Sequence, residues 1–119
     1  MIEFHAPGTF PPDSVGYVVS IPLSITDKKD LLRQIAADLK FPDYFGFNWD
    51  ALDECLADLS WLKAREVYIW HEDIPLSDQP AEARRYIQVL LGALHAPGSA
   101  QLRISFPETV KAELDALLG

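Results

Sequence analysis

Apolar and polar residues follow two different patterns along the chain, and these patterns predict strands and helices in turn. Short runs rich in β-branched and aromatic residues, bounded by glycine, proline or polar residues, are typical of buried strands. Between and after these runs, apolar residues recur three and four positions apart, which predicts amphipathic helices. Ser24 or Thr26 is expected to cap the first helix. The predicted strands are residues 16–21, 65–70 and 101–106, and the predicted helices are residues 27–39, 48–59, 80–94 and 108–118.

This order of elements predicts an α/β fold. Strands that alternate with helices favour a parallel sheet with right-handed crossovers, so we expect a small three-stranded parallel sheet packed with helices. A chain of 119 residues indicates one domain, which we place at residues 16–106. Proline and glycine interrupt residues 1–15, which predicts an irregular N-terminal extension. Residues 107–119 are expected to form a C-terminal amphipathic helical extension.

The most distinctive stretch is residues 41–56, FPDYFGFNWDALDECL, in which an aromatic loop leads directly into the second predicted helix. Asn48 is expected to cap this helix, because its side-chain oxygen can accept a hydrogen bond from an unpaired N–H of the first turn. Asp50, Asp53 and Glu54 follow within two turns, where the helix dipole favours negative charge. Aromatic residues and carboxylates presented together suit a basic protein partner, and suit neither a phosphate nor RNA.

The charge balance argues against two classes of partner. The chain carries 18 acidic and 10 basic residues, which gives a formal net charge of −8. Neutralisation of phosphates by cations drives most nucleic-acid binding, so direct binding to nucleic acid is not expected. An anionic membrane surface is disfavoured for the same reason. The same charge is equally typical of domains that are acidic for solubility alone.

The single cysteine, Cys55, excludes an intrachain disulfide and the zinc sites that need several cysteines. Such cysteine usage is typical of a reducing compartment. The N-terminal sequence, MIEFHAPGTFPPDSVG, lacks the basic start and the long apolar run of a signal peptide. No stretch approaches the roughly 20 apolar residues of a membrane-spanning helix. We therefore expect a cytoplasmic protein.

Few residues suggest metal binding or covalent catalysis. His5, His71 and His95 are far apart in the sequence and are expected to be ordinary surface or loop residues, so no metal site is predicted. Cys55 is on the apolar side of its helix, which indicates a buried structural thiol rather than a nucleophile. The sequence contains no glycine-rich phosphate loop, and no cofactor is expected.

The acidic helix leaves an enzymatic alternative to be weighed. Asp50 and Glu54 lie one helical turn apart, and paired carboxylates can serve in acid–base catalysis. On an exposed helix they lack the burial that tunes catalytic carboxylates, so a solvated surface is favoured over an enzyme. Phe45 is expected in the core, because the loop must be anchored. Tyr44 and Trp49 flank the acidic residues and are expected to be exposed, as aromatic residues at an interface are.

The extended stretch LKFPDYFGFNWDALDECL resembles the signature of the barstar family, small intracellular inhibitors of the secreted ribonuclease barnase. The resemblance covers about residues 16–106 and implies a three-stranded parallel sheet with helices, in agreement with the element order. The positions that match the family signature are Phe41, Pro42, Asp43, Tyr44, Phe45, Gly46, Asn48, Asp50, Ala51, Leu52, Glu54, Cys55 and Leu56.

The resemblance implies that the protein binds a basic, barnase-like ribonuclease or a related toxin and occludes its active site, as an immunity protein or antitoxin. Tyr44, Asp50 and Glu54 occupy the main contact positions of the family. Carboxylates on a rigid helix can replace the phosphates that a ribonuclease holds with basic side chains. We expect no enzymatic activity, and a monomer before the complex forms. The predicted partner-binding residues are Tyr44, Gly46, Asn48, Trp49, Asp50, Asp53 and Glu54.

Three positions depart from the family signature. Glu54 replaces an aspartate, Asp53 replaces a tryptophan, and residues 90–92 occupy the place of an acid on the third helix. These differences bear on the partner more than on the fold. The alternative is therefore an interaction module of the barstar fold whose partner is not a ribonuclease.

Overall fold

A computed structural model of the protein describes residues 1–12, 16–96, 98 and 100–119. Within these residues the chain forms four strands and four α-helices, with a 3-10 turn at Glu108–Val110. The strands are β1 (Ile2–His5), β2 (Tyr17–Ile21), β3 (Glu66–His71) and β4 (Gln101–Pro107). The helices are α1 (Lys28–Asp38), α2 (Trp49–Asp58), α3 (Pro80–Leu94) and α4 (Lys111–Leu118).

The strands form one parallel sheet in the order β1-β4-β3-β2. The predicted α/β class and parallel sheet are confirmed, but the predicted number of three strands is wrong, because the described residues include a fourth strand, β1. β1 lies along β4, with Ile2 opposite Ile104 and Phe4 opposite Phe106. Apolar residues at alternate positions of β1 thereby extend the face of the sheet that packs on the core.

The expectation that residues 1–15 are irregular is wrong for residues 2–5, which form β1, whereas residues 13–15 lie outside the described residues. Side chains also attach β1 to the sheet. Arg103 donates to both carboxylate oxygens of Glu3, at 2.7 and 2.9 Å, and to Glu66 at 3.0 Å. A strand as short as β1, with proline and glycine two and three residues after its end, carries too little alternation to be distinguished from a loop.

The helix starts follow local capping chemistry. α1 begins after Asp27, whose carboxylate accepts a hydrogen bond from the backbone N–H of Lys29 at 2.7 Å. The predicted caps, Ser24 and Thr26, are therefore wrong: a cap must have an extended backbone directly before the helix, and Asp27 has it, with φ −116° and ψ 124°. The C-terminal helical prediction is confirmed as the 3-10 turn at Glu108–Val110 followed by α4.

The helices pack on one face of the sheet and form the core there. Side chains alternate along each strand, so Ile69 and His71 of β3 face the helices, whereas Tyr68 and Trp70 lie on the opposite face. Each fully buried aliphatic side chain contributes about 1.5–3 kcal/mol to the free energy of unfolding. The helical side of the core includes Leu31, Leu32, Ile35, Leu52, Leu56, Ile87 and Leu90.

The expectation that all three histidines are ordinary surface or loop residues is wrong for His71. This residue ends β3 fully buried, with Nδ1 2.9 Å from the carbonyl oxygen of Ser105 and Nε2 2.7 Å from the hydroxyl of Tyr86. Since a carbonyl only accepts, Nδ1–H donates to Ser105 and Nε2 accepts from Tyr86, which corresponds to the neutral imidazole. Burial lowers the pKa of His71 to about 3. His5 is partly buried, and His95 is exposed directly after α3.

Candidate protein-binding surface

The aromatic loop before α2 is anchored in the core by one of its side chains. Phe45 is buried and makes an edge-on contact with Phe41, with ring centroids 4.9 Å apart. Phe41 contacts Trp61 edge-on in turn, at 5.9 Å. The backbone N–H of Phe45 donates to the carbonyl of Pro42 at 3.0 Å, which closes a tight turn. The prediction that Phe45 lies in the core is confirmed, and so is the exposure of Tyr44, which is 78% accessible.

The junction between this loop and α2 is fixed by Asn48. Its side-chain oxygen accepts a hydrogen bond from the backbone N–H of Ala51 at 2.8 Å, so the predicted cap is confirmed. The amide nitrogen of the same side chain donates to the carbonyl of Gly46 at 3.3 Å. A side-chain carbon on Gly46 would lie 3.1 Å from that amide nitrogen, which is tighter than ordinary contact. Gly46 and Asn48 therefore hold the loop at a defined angle to the helix.

Trp49 does not have the exposure that the sequence predicts. It begins α2 and is 7% exposed, so the expectation of an exposed indole is wrong. Its Nε1–H donates to the carboxylate of Glu82 on α3 at 2.9 Å, and its ring lies 5.9 Å from that of Tyr86. The ammonium of Lys28 lies over the indole at 4.9 Å. The first turn of α2 packs on α3, and Trp49 joins the two helices rather than flanking the surface.

Four carboxylates stand exposed on α2, namely Asp50, Asp53, Glu54 and Asp58, and two of them face α3. Asp50 forms an ion pair with Arg85 at 3.1 Å while its side chain stays 90% exposed. A side-chain carbon on Gly92 would lie 3.7 Å from a carboxylate oxygen of Asp53, so Asp53 also faces α3. We call the exposed side chains of Tyr44, Asp50, Asp53 and Glu54 the α2 surface.

Glu54 lies on the other side of the α2 surface, next to the aromatic loop. Together with Tyr44, Asp58 and Trp61 it lines a shallow hollow of about 130 Å³. Cys55 lies beneath this hollow and is buried, which confirms the predicted buried thiol. Burial, together with the charges of Glu54 and Asp58, raises the pKa of Cys55. The thiol therefore stays protonated near neutral pH and is a poor nucleophile.

This arrangement suits binding better than chemistry. Asp50 and Glu54 are both exposed on an open surface, and neither lies in an enclosed cleft of the kind that tunes catalytic carboxylates. Across the described ranges, no three His, Cys, Asp or Glu side chains are grouped so that they could hold a metal ion. None of the helices that the structure describes has the length and apolar composition needed to cross a membrane.

The sequence did not indicate the part that α3 plays at this surface. Glu82 and Arg85 lie one turn apart on α3, and they contact Trp49 and Asp50 at the start of α2. Charged residues at this spacing are ordinary on an exposed helix face. Only the packing of α3 against α2 brings them to the site, and no local pattern reveals which two helices pack together.

Comparison with known proteins gives one finding on the family. The family model described as Barstar (barnase inhibitor) matches residues 19–106. The matched region begins within β2, reaches into β4 and contains the whole α2 surface, whereas β1 and α4 lie outside it. No curated protein matches the chain, and no solved structure matches it either.

Proposed function

Because the chain belongs to the barstar family, we propose that it inhibits a basic ribonuclease of the barnase type by binding over the active site of that enzyme. The family is one of inhibitors, and its model covers the loop and helix that present the α2 surface. The observation that carries the proposal is the exposure of Tyr44, Asp50 and Glu54 on a loop and helix whose anchors, Phe45 and Asn48, are fixed from within.

The physical basis is replacement of phosphate by carboxylate. A ribonuclease lines its active site with basic side chains that hold phosphates, and carboxylates make the same charge-assisted hydrogen bonds with those groups. Because Phe45 and Asn48 already hold the loop and the start of α2, little conformational freedom is lost when a partner docks. The net charge of −8 also favours encounter with a basic enzyme.

The residues of the site divide into two roles in this proposal. Asp50, Asp53 and Glu54 contact basic side chains of the ribonuclease, and Tyr44 supplies aromatic surface beside them. The other three predicted partner-binding residues support the contact residues and do not themselves touch the ribonuclease. The side chains of Asn48 and Trp49 and the backbone carbonyl of Gly46 hold the loop and α2 in place.

The proposal also covers where and how the protein acts. It works by stoichiometric occlusion in the cytoplasm, as an immunity protein, and needs neither a cofactor nor a catalytic step. We propose that the free protein is a monomer, since three of the four side chains of the α2 surface are acidic and two copies of it would repel each other.

The test is a titration of the purified protein into a ribonuclease assay with barnase, and with any nuclease encoded beside its gene, at low and at moderate salt. We expect loss of activity that saturates near one inhibitor per enzyme and that needs more inhibitor at higher salt. Full activity of every nuclease at excess protein would contradict the proposal.

Matched variants locate the contact. Asp50→Ala with Glu54→Gln is expected to weaken inhibition on the order of 100-fold, because each removes a charge-assisted hydrogen bond at the interface. Asp30→Asn with Glu113→Gln removes the same charge from exposed positions on α1 and α4. This control pair is expected to stay within a few-fold of the parent protein. Equal effects of the two pairs would place the contact elsewhere.

A second candidate function is an interaction module of the same fold with a partner other than a ribonuclease. The observation that favours it is the ion pair between Asp50 and Arg85, which gives this region charges of both signs. If no ribonuclease is inhibited while a different protein binds and is released by the Asp50 and Glu54 changes, this second function holds.

A further inference from the structure

A groove runs between α3 and α4, next to the α2 surface. Its volume is about 430 Å³. Both helices contribute small apolar side chains to it, and α3 adds two guanidinium groups and an amide. Its main lining residues are Ala81, Arg84, Arg85, Gln88, Ala116 and Leu117.

The two arginines leave most of their hydrogen-bond donors unused. Arg85 donates to Asp50 at 3.1 Å through one nitrogen, and its side chain remains 46% exposed. A guanidinium has five N–H donors, so Arg85 can bind a second acid without leaving Asp50. Arg84 is exposed, and no ion pair or hydrogen bond joins its side chain to another residue in the described part of the chain.

The pair between Asp50 and Arg85 is not needed to hold the helices together. An exposed ion pair contributes little to folding, whereas Trp49 and Glu82 already join α2 to α3 through a largely buried indole. Arg85 is thus available to a partner, and it lies at the boundary where the α2 surface ends and the groove begins.

We infer that the groove between α3 and α4 binds a segment of the partner that carries an aspartate or glutamate next to an apolar side chain. The carboxylate would pair with Arg84 and Arg85, since a guanidinium matches a carboxylate in a two-bonded geometry. The apolar side chain would lie against Ala81, Ala116 and Leu117. This inference rests on the proposed function, and it specifies the partner further: basic where it meets α2, and acidic where it meets α3.

Charge complementarity selects this occupant. A polyanion such as RNA would meet a chain of net charge −8, and its many phosphates would lie against Asp50 as well as against the arginines. A single carboxylate on a folded partner can approach the two arginines while its basic neighbours approach α2. The groove is continuous with the α2 surface through Arg85, so one partner can cover both.

The first test measures binding of catalytically inactive barnase to two charge-matched variants. Arg84→Glu with Arg85→Glu removes the proposed contact, and Lys63→Glu with Arg65→Glu makes the same change in net charge. Lys63 and Arg65 are exposed just before β3, at the opposite end of the sheet from the start of α3. We expect Kd to rise at least about tenfold for the α3 variant relative to the control variant.

Two outcomes separate the inference from the function on which it rests. If the two variants bind equally well while Asp50→Ala with Glu54→Gln weakens binding, the groove is not a contact and the inhibitor proposal stands. If wild-type protein does not bind, barnase is not the partner. A second test, which needs no partner protein, then shows whether the groove binds an acidic segment.

That second test is an NMR titration of the free protein with a blocked peptide, acetyl-Asp-Leu-Glu-Leu-amide, and with its neutral analogue, acetyl-Asn-Leu-Gln-Leu-amide. We expect saturable shifts of amide signals in residues 80–88 and 114–118 with the acidic peptide alone. The shifts should persist in Lys63→Glu with Arg65→Glu and vanish in Arg84→Glu with Arg85→Glu. No saturable shift, or equal shifts with both peptides, overturns the inference.

Discussion

The carboxylates of the α2 surface and the polar groups around His71 lie at opposite extremes of exposure. The side chain of Asp50 is 90% exposed and forms an ion pair with Arg85. The imidazole of His71 is fully buried, and both of its nitrogens are hydrogen-bonded, to Ser105 and to Tyr86. Water supplies the hydrogen bonds of the exposed carboxylate. The buried imidazole has no water, so without its protein partners its burial would destabilise the folded state.

This difference assigns the two regions to different tasks. An exposed carboxylate can exchange water for a partner's basic side chain, so it is available for binding. A buried imidazole whose two nitrogens are both hydrogen-bonded cannot bind a partner. Its hydrogen bonds stabilise the fold instead. Asn48 lies between these extremes, because it is exposed and yet caps α2.

The strongest test of the comparison is His71→Ala. We expect the free energy of unfolding to fall by about 3 kcal/mol, because the change opens a cavity and leaves the Tyr86 hydroxyl and the Ser105 carbonyl without their partner. Urea unfolding followed by fluorescence measures it. The control is His95→Ala at an exposed position, which should change the free energy by less than about 0.5 kcal/mol. Equal costs at both positions would contradict the structural role of His71.

Acid should weaken the fold through the same residue. In the unfolded chain His71 takes up a proton near pH 6.5, but burial lowers its pKa to about 3 in the folded protein. Between these values the unfolded state binds more protons, so stability falls as the pH falls. From pH 6 to pH 4 we expect wild-type protein to lose roughly 2–3 kcal/mol more than His71→Gln does. Parallel pH profiles for the two proteins would show that His71 does not titrate in this way.

Asn48→Ala tests the residue that is exposed and yet stabilises the fold as a helix cap. Loss of the cap should lower the free energy of unfolding by about 1 kcal/mol, and release of the loop at Gly46 should weaken ribonuclease inhibition as well. Asn48→Asp is the control, because aspartate caps a helix about as well as asparagine does. The idea fails if Asn48→Ala unfolds at the same urea concentration as the parent protein.

The smallest stability effect is expected on the α2 surface itself. Asp50→Ala with Glu54→Gln should leave the free energy of unfolding within about 0.5 kcal/mol, since both side chains are exposed and an exposed ion pair contributes little. Calorimetry of the same preparations used for the inhibition assay measures it. A loss well above 1 kcal/mol would mean that these acids stabilise the fold, and that reduced inhibition cannot be read as a lost contact.

The features that the sequence predicted correctly depend on neighbours along the chain. The cap at Asn48 needs only the N–H groups that follow it, and the burial of Phe45 follows from the need to anchor a short loop. The periodic spacing of leucines predicted α2 with Cys55 on its inner side. Each of these signals is complete within a few residues, so tertiary contacts did not overturn it.

The features that the sequence did not predict depend on residues far apart. Trp49 is buried because Glu82 on another helix accepts its indole N–H, and His71 is buried because Ser105 and Tyr86 satisfy its ring. β1 is a strand because β4 lies beside it, although its own residues are too few to show a pattern. These contacts form only once the helices and strands are assembled, so no pattern within a few neighbouring residues predicts them.

The pairing of β1 with β4 has a consequence for how the chain is made. Ile2 leaves the ribosome about 100 residues before its register partner, Ile104. β1 therefore cannot pair with β4 until almost all of the domain has been translated. Contacts between segments so far apart in the sequence slow folding. We expect the sheet to be completed last at this edge, so that β2 and β3 are already paired when the two ends of the domain meet.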